Sequence, residues 1–432
     1  MLPQLMKFFT PLATLGLSVA CAANAFAAAP DWPQWRGPKQ DGISTETGLL
    51  SEWTTDGPPL AWRVTGMGSG MASVAIANGR LFTQGAGTKD GKRGVFVTAL
   101  DVATGKELWS SAITPGGGPK PNGTPTVDGK LLYAVGNNGD LACLETETGK
   151  LVWKKNYGAD FHGKCMSGWG YSESPLVDGD WLICVPGAPD AGIAALNKLT
   201  GEVIWKSAIP DFGRAGKAGA GYTGVVISQG AGVKQYVTLT GHGLVGVRAS
   251  DGKFLWGYNR IANGTADIPT PIIKGDYVFG SSGYGDGGTA LVKLSKDGDG
   301  VKAEEVYYLK AGELQNHHGG MILLGDHVYM GHGHNNGFPT CVELQTGKVV
   351  WGKERGPGSG SAAIVMADGH LYFRYQDGLM ALIEATPKGY QLKGSFKLAS
   401  KLGESWPHPV IHDGKLYIRD QDVLLCYDVK AK

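Results

Sequence analysis

Three sets of side chains in this sequence carry groups able to bind or react. Asn122, Glu173 and Asp267 offer amide and carboxylate oxygens, the donor type that a hard cation such as Ca²⁺ accepts. A second set is rich in imidazole: Asn316-His317-His318-Gly319-Gly320 is followed closely by Gly331-His332-Gly333-His334. Imidazole titrates near neutrality and ligates borderline transition metals, so His317 and His318 are candidates for catalytic proton transfer and His332 and His334 for metal binding. The third set is aromatic. Trp169 and Tyr171, in Ser167-Gly-Trp-Gly-Tyr171, and Trp406, in Trp406-Pro-His408, present planar faces on which a quinone or a sugar ring would stack. Arg374-Tyr-Gln-Asp377 and Arg419-Asp-Gln-Asp422 repeat one pattern with two uses open to it, structural bridges to carboxylates or a clamp for an anion or sugar.

Other chemistries have no carrier here. The sequence contains no G-x-S-x-G elbow, P-loop or zincin motif, no C-x-x-C for zinc or thiol redox work and no C-x-x-C-H for covalent haem. Lys296-Asp-Gly-Asp-Gly300 matches a Ca²⁺-binding loop for four residues only, because Val301 and Lys302 occupy the next carboxylate and glycine positions; it reads as a solvated hairpin tip.

The candidate residues are far apart in the chain, so only a fold that returns repeatedly to one point can gather them. A repeat supplies that return. Ala99 to Trp109 (ALDVATGKELW) recurs as Cys143 to Trp153, Ala195 to Trp205, Gly246 to Trp256 and Cys341 to Trp351, with degenerate copies ending near Tyr307 and Phe396. An eighth copy begins at Cys426 and stops unfinished, and Leu60-Ala-Trp62-Arg-Val64 is available to complete it. Asp-Gly turns at Asp128-Gly129, Asp178-Gly179, Asp368-Gly369 and Asp413-Gly414 alternate with this signature. Such dipeptides between alternating apolar residues signal hairpins, because type I′ turns need positive φ. Each unit then holds four strands, and the expected fold is all-β: an eight-bladed β-propeller over residues 60–432, closed by pairing the N-terminal strand with the last blade. Residues 28–59 are left as an N-terminal arm. In a propeller the segments entering the inner strands open together on one face, which is where Asn122, Glu173, Tyr222, Asp267, His317, His318 and Trp406 all fall.

Composition agrees. Glycine supplies 69 of 432 residues, twelve Trp are spread along the chain, and charged residues make up 18%. Helices tolerate little Gly and disordered chains lack aromatics, which leaves short strands joined by tight turns. Lys plus Arg number 40 and Asp plus Glu 39, a balance with no basic footprint for nucleic acid or anionic lipid. Lys7, the apolar run from Phe8 to Ala20 and Ala25-Phe26-Ala27 fit a cleaved secretory signal over residues 1–27, and the run is short of the ~20 residues that span a bilayer. The expected product is a periplasmic or secreted monomer without a transmembrane span. Ser18-Val-Ala20, before Cys21, lacks the Leu usual in lipoprotein signals. Cys143, Cys341 and Cys426 occupy one repeat position as small buried side chains, leaving Cys165 with Cys184 as the only candidate disulfide.

The pattern A-x-D-x-x-T-G-x-x-x-W resembles the tryptophan-docking motif of propellers of the pyrroloquinoline quinone (PQQ) type. Asp31-Trp-Pro-Gln-Trp-Arg-Gly-Pro38, with Asp41-Gly42, is similar to the start of secreted single-domain proteins with PQQ-like repeats, some called polyvinyl-alcohol dehydrogenase-like and others likened to the propeller lipoprotein of the outer-membrane barrel-assembly machine. The resemblance implies either a quinoprotein-type oxidoreductase acting on an alcohol or carbohydrate in the central funnel, or a non-catalytic binding or assembly scaffold for an envelope protein. PQQ dehydrogenases hold Ca²⁺ beside the quinone. By that likeness Glu173 and Asn122 are Ca²⁺ ligands and Asp267 the base beside them, with Trp169, Tyr171, Trp406 and Arg374 around the cofactor. The chain departs from the methanol-type pattern in lacking adjacent cysteines, and it has no haem motif.

Overall fold

A computed structural model of the chain describes Met1 and residues 30–432 apart from 117–119, 353 and 405. The signal run from Phe8 to Ala20 and Cys21 lie outside the described residues. Each repeat folds as an antiparallel four-stranded sheet. In the first, Ala75–Ala77, Arg80–Lys89, Lys92–Asp101 and Glu107–Pro115 pair in that order. Six further sheets keep chain order, and consecutive first strands adjoin, so the sheets radiate as blades around a central channel. The eighth blade takes Val410–His412, Lys415–Asp420 and Val423–Asp428 from the C-terminus and Leu60–Val64 from the N-terminus as its outermost strand. Trp62 stands opposite Cys426, the register in which Trp153 stands opposite Cys143. Closure therefore leaves no blade unfinished. Among the described residues helix is confined to Tyr157–Phe161 and a short 3₁₀ turn, and no helix there is long and apolar enough to cross a membrane.

The motif's conserved-looking turn is a local necessity. Thr104 bonds Asp101 through both its backbone N–H (2.9 Å) and its hydroxyl (2.6 Å), which closes the turn before the outermost strand. The following glycine then faces the aromatic of the preceding blade. Gly149 has φ +70°, and a Cβ there would lie 2.4 Å from the Trp109 ring; Gly252 stands likewise 2.4 Å from Trp205. The indole N–H of Trp109 donates across the blade boundary to the Thr146 carbonyl (3.1 Å), and that of Trp153 to Lys198 (3.0 Å). Trp205 stacks on Tyr236 of the next blade at 6.1 Å, whereas Trp256 donates to Gln235 within its own blade. The apolar core lies between blades: Leu141, Leu182 and Val245, from three successive blades, belong to one buried cluster.

The N-terminal arm crosses the channel. Asp31 accepts from Asn78, Trp32 bridges Ile76, and Val127 donates to the Pro33 carbonyl at 2.7 Å, fixing its start at blades one and two. Trp35 then donates to Thr270 of blade five (3.2 Å) and Arg36 to the Met321 carbonyl of blade six (2.5 Å). Ser44 reaches Met366, and Glu46 caps the Asp413-Gly414 turn before the chain leaves over blades seven and eight. The arm thus lies on the face of the first-to-second-strand turns and seals it. All five described cysteines are free, so Cys165 and Cys184 do not pair: Cys184 is buried in Trp181–Cys184, while Cys165 bridges the backbone of Ala220. The replacement Trp205→Ala should cost about 3–5 kcal/mol, read as a shifted denaturant midpoint; a loss below about 1 kcal/mol would show that the indole does not hold blades three and four together.

Candidate functional site

On the face opposite the arm, the segments entering the first strands and the second-to-third-strand loops enclose a cavity of about 450 Å³. Trp35 and Arg36 from the arm line it, Trp406 and Tyr222 form wall, and Trp169 sits at the mouth, 55% exposed. Asn122, Asn137, Ser172 and Thr270 add neutral hydrogen-bonding groups. The Asn122 amide donates to Ser172 (2.9 Å) and Asn137 holds the Trp169 carbonyl (2.6 Å), so blades two and three are tied at the rim.

Of the residues the sequence singles out, Asn122, Trp169, His318 and Trp406 line the cavity; Glu173, Asp267, Tyr171, His317 and Arg374 do not. Alternation explains the division, because successive side chains of an extended segment point to opposite sides. Ser172 and Ser174 face the cavity and Glu173 between them is turned into the wall; Ala266 and Ile268 face it and Asp267 is turned away. Glu173 accepts the Tyr157 hydroxyl beneath Tyr171, whose own hydroxyl donates to the Pro186 carbonyl at 3.0 Å. Asp267 accepts from the Asn263 backbone (3.1 Å) and side-chain amide (2.9 Å). Arg374 is buried under the Trp406 segment, donating to the Pro407 carbonyl (2.8 Å) and facing Asp420 at 3.7 Å, and Arg419 binds the Met67, Gly68 and Gln84 carbonyls of blade one. Both arginines therefore tie loops across blade boundaries.

A Ca²⁺ ion needs six to eight oxygens. Glu173 Oε2 and Asp267 Oδ2 are buried without partners, yet the two carboxyls sit behind the cavity wall, and among the described residues no group of three or more His, Cys, Asp or Glu is placed to hold a metal. Burial pushes the Glu173 carboxyl up to about 7 and Asp267 well above the carboxylate range, which favours the neutral acids over ligating anions. Asn122, Glu173 and Asp267 as placed do not fit the ion.

The imidazoles do converge. His317 packs at a tilt between His318 (4.2 Å) and His334 (4.1 Å), Tyr284 packs on His317 and His334, and Trp406 packs on His318 at 4.7 Å. His317 Nδ1 pairs with the Ser361 hydroxyl at 2.6 Å, while His318 has no protein partner on either nitrogen. His332 leaves the group: its strand ends there, Gly333 turns with φ +85°, and its Nδ1 accepts from the Gln315 backbone. Burial pushes His317 and His408 down to about 3 and His318 well below the usual imidazole range. These rings are neutral at pH 7 and can accept or donate one hydrogen bond each without bringing charge to the cavity. Several lining residues escape the sequence reading, among them Trp35, Arg36, Asn137 and Tyr284; the aromatic and basic side chains of Trp-Pro-Gln-Trp-Arg in an otherwise unassigned arm were the available signal for the first two.

The buried Glu173 has a signature of its own. Its folded value of about 7 lies above the ordinary 4.5, so the folded state holds more protons, and stability falls as pH rises between those values and levels off above. The difference amounts to about 3 kcal/mol. Glu173→Gln should remove that fall, seen as denaturant midpoints of the two proteins compared from pH 4 to 8; parallel curves would show a carboxyl ionised in the fold.

A family model described as outer membrane protein assembly factor BamB matches residues 92–353, more than half of the chain. The assembly factor BamB of Shewanella oneidensis is 33% identical over 129 residues, 27% of this chain and 30% of its own. The quinoprotein ethanol dehydrogenase of Pseudomonas aeruginosa is 27% identical over 196 residues, 40% of this chain and 30% of its own. The chain spans under a third of the length of either of these curated relatives. Among solved structures, the quinohemoprotein alcohol dehydrogenase from Comamonas testosteroni superposes with a TM-score of 0.63 at 14% identity, covering 95% of this chain and 82% of that one, a likeness of fold. With the docking repeat, the eight-bladed ring and the family match in agreement, the chain belongs to the PQQ-like propeller family described as outer membrane protein assembly factor BamB.

Proposed function

We propose that this chain is a cell-envelope propeller whose working site is the blind central cavity, and that its ligand is a small ring-shaped alcohol or carbohydrate. One observation carries the reading: the arm lies across one end of the channel, so that Trp35 lines the cavity from that side while the exposed Trp169 stands at its rim. Aromatic faces with neutral amides and hydroxyls suit a ring that is apolar on its faces and polar at its edge. The envelope location is supported by the secretory pattern and by the names of the relatives. His318, neutral and without a protein partner on its ring nitrogens, is the group placed to exchange a hydrogen bond with a hydroxyl of a bound ligand. A quinone bound there would supply a two-electron acceptor for alcohol oxidation; Trp169 and Trp406 offer faces for it, and the sequence likeness to the ethanol dehydrogenase supports this version.

The scaffold reading has an observation of its own. Leu108, Val152, Ile204 and Val350, each immediately before the docking aromatic, are 39–46% exposed on the outermost strands, an apolar rim suited to an envelope protein partner. Titration of the purified protein with neutral sugars, and separately with PQQ and Ca²⁺, followed by tryptophan fluorescence, separates the readings. Cavity binding predicts that Trp406→Ala weakens the ligand by roughly tenfold, about 1.4 kcal/mol for one stacked face, and that Ile204→Glu leaves it unchanged. Absence of any quenching by sugar or quinone would remove the cavity as the working site.

A further inference from the structure

The cavity floor holds a buried cation with one donor left without an acceptor. The Arg36 side chain is buried, with only 4% of the residue exposed. Its Nε donates to the Gln40 carbonyl (3.0 Å) and its Nη2 to the carbonyls of Asp41 (2.9 Å) and Met321 (2.5 Å). Nη1 is buried and has no acceptor. All these hydrogen-bond partners are neutral carbonyls, so the fork is positioned without a direct ion pair, and Asp41 acts on it through its field alone. Burial pushes the guanidinium down to about 10, with Asp41 the acid whose field opposes the shift, and it stays charged at pH 7. An uncompensated buried charge is costly, and an unpaired donor on it adds to that cost.

The surroundings point the vacant donor toward a ligand. A Cβ added at Gly320 would lie 2.7 Å from Arg36 Nη1 and 2.6 Å from the His408 ring, so any side chain there would collide with both groups, and all three residues line the cavity. The field there is positive: Arg36 and Arg374 both act on His408 and oppose its protonation. Glu404, the one carboxylate in the lining, is exposed at the rim. Trp35 adds a ring face beside this donor, 4.4 Å from the His408 ring.

Resting on the proposed cavity function, we propose that the ligand is a sugar acid, whose carboxylate seats on Arg36 Nη1 beside Gly320 while its ring lies against Trp35. A carboxylate matches the guanidinium edge in geometry and charge, and in a water-poor floor such a bond is stronger than its neutral counterpart. A quinone carboxylate would offer the same chemistry, and the test separates the two sources. A competing occupant is also defined: a space of about 10 Å³ flanks Arg36 on its other side, near Ser73 and Val74, about what one water fills.

Calorimetric titration with galactose, galacturonate and PQQ, on the full chain and on Arg36→Gln, Arg36→Lys and Lys120→Gln, decides the matter. The expected result is that galacturonate binds about tenfold or more tighter than galactose, that this preference disappears in Arg36→Gln, and that Lys120→Gln, which removes the other lining cation, leaves it intact. Because the Arg36 fork also fastens the arm, near-ultraviolet circular dichroism checks each variant, and Arg36→Lys, which keeps the charge, should retain part of the preference. Should the Arg36 variants misfold, the comparison on the unaltered chain and Lys120→Gln still decides. Equal affinity for acid and neutral sugar, as a water-satisfied Nη1 would give, overturns the seat while leaving the cavity function standing. A preference surviving Arg36→Gln, or lost in Lys120→Gln, overturns it as well. Binding of PQQ alone, lost in Arg36→Gln, overturns the sugar-acid assignment in favour of a quinone carboxylate. Binding of none of the three overturns the cavity function itself.

Discussion

An aromatic ring seated on a glycine of the next blade sets the spacing of this molecule. Trp109 on Gly149 and Trp205 on Gly252 are contacts that no side chain larger than hydrogen permits, and the turns that present these glycines are closed by Thr148 in the first case and Asp251 in the second. The ring of blades cannot stop at seven, because an open ring would leave one aromatic and one strand edge bare. Leu60–Val64 prevents this by adding Trp62 in the register that Trp153 and Trp109 occupy in their own blades. The chain's two ends are thereby held in one sheet, and the arm that precedes Leu60 has to run back across the channel to reach it.

The fold was legible because its information is periodic and local. The docking motif names the outermost strand and the residue opposite it, and the Asp-Gly turns name the inner hairpins; neither depends on distant contacts. The site was legible only to the level of segments. Position in the repeat says that residues 172–174 and 266–268 reach the central opening, but not which of three successive side chains faces it. Charge drew the choice to Glu173 and Asp267, whereas the backbone turns Ser172, Ser174, Ala266 and Ile268 inward. The repeat also carried no information about the arm, since a segment that occurs once has no second copy to align with. Trp35 and Arg36 became part of the site through contacts with blades five and six, more than 230 residues away in the chain.

Burial of ionisable groups follows one rule around the cavity. The carboxyls of Glu173 and Asp267, buried behind the wall without a cationic partner, are pushed toward the neutral acid, Glu173 tied to a tyrosine hydroxyl and Asp267 to an asparagine. Where an imidazole is buried it is held as the neutral base, as in His317, His318 and His408. These groups act as hydrogen-bonding structure and bring no net charge to the wall. Guanidinium cannot follow that rule, because even strongly disfavoured it stays protonated at neutral pH. Arg374 and Arg419 answer the cost with carbonyl and carboxylate partners across blade boundaries.

Arg36 differs from those two in where it stands. Arg374 and Arg419 sit behind the wall, where the partners they need are protein groups and the result is a stiffer ring. Arg36 stands at the bottom of the cavity, and its backbone partners hold Nε and Nη2 while leaving Nη1 against Gly320. The same three bonds that fasten the arm across the channel therefore also orient the remaining donor. Closure of the channel and the polarity of its floor are consequences of one side chain, so a chain that lost Arg36 would lose the seal at blade six and the positive floor together.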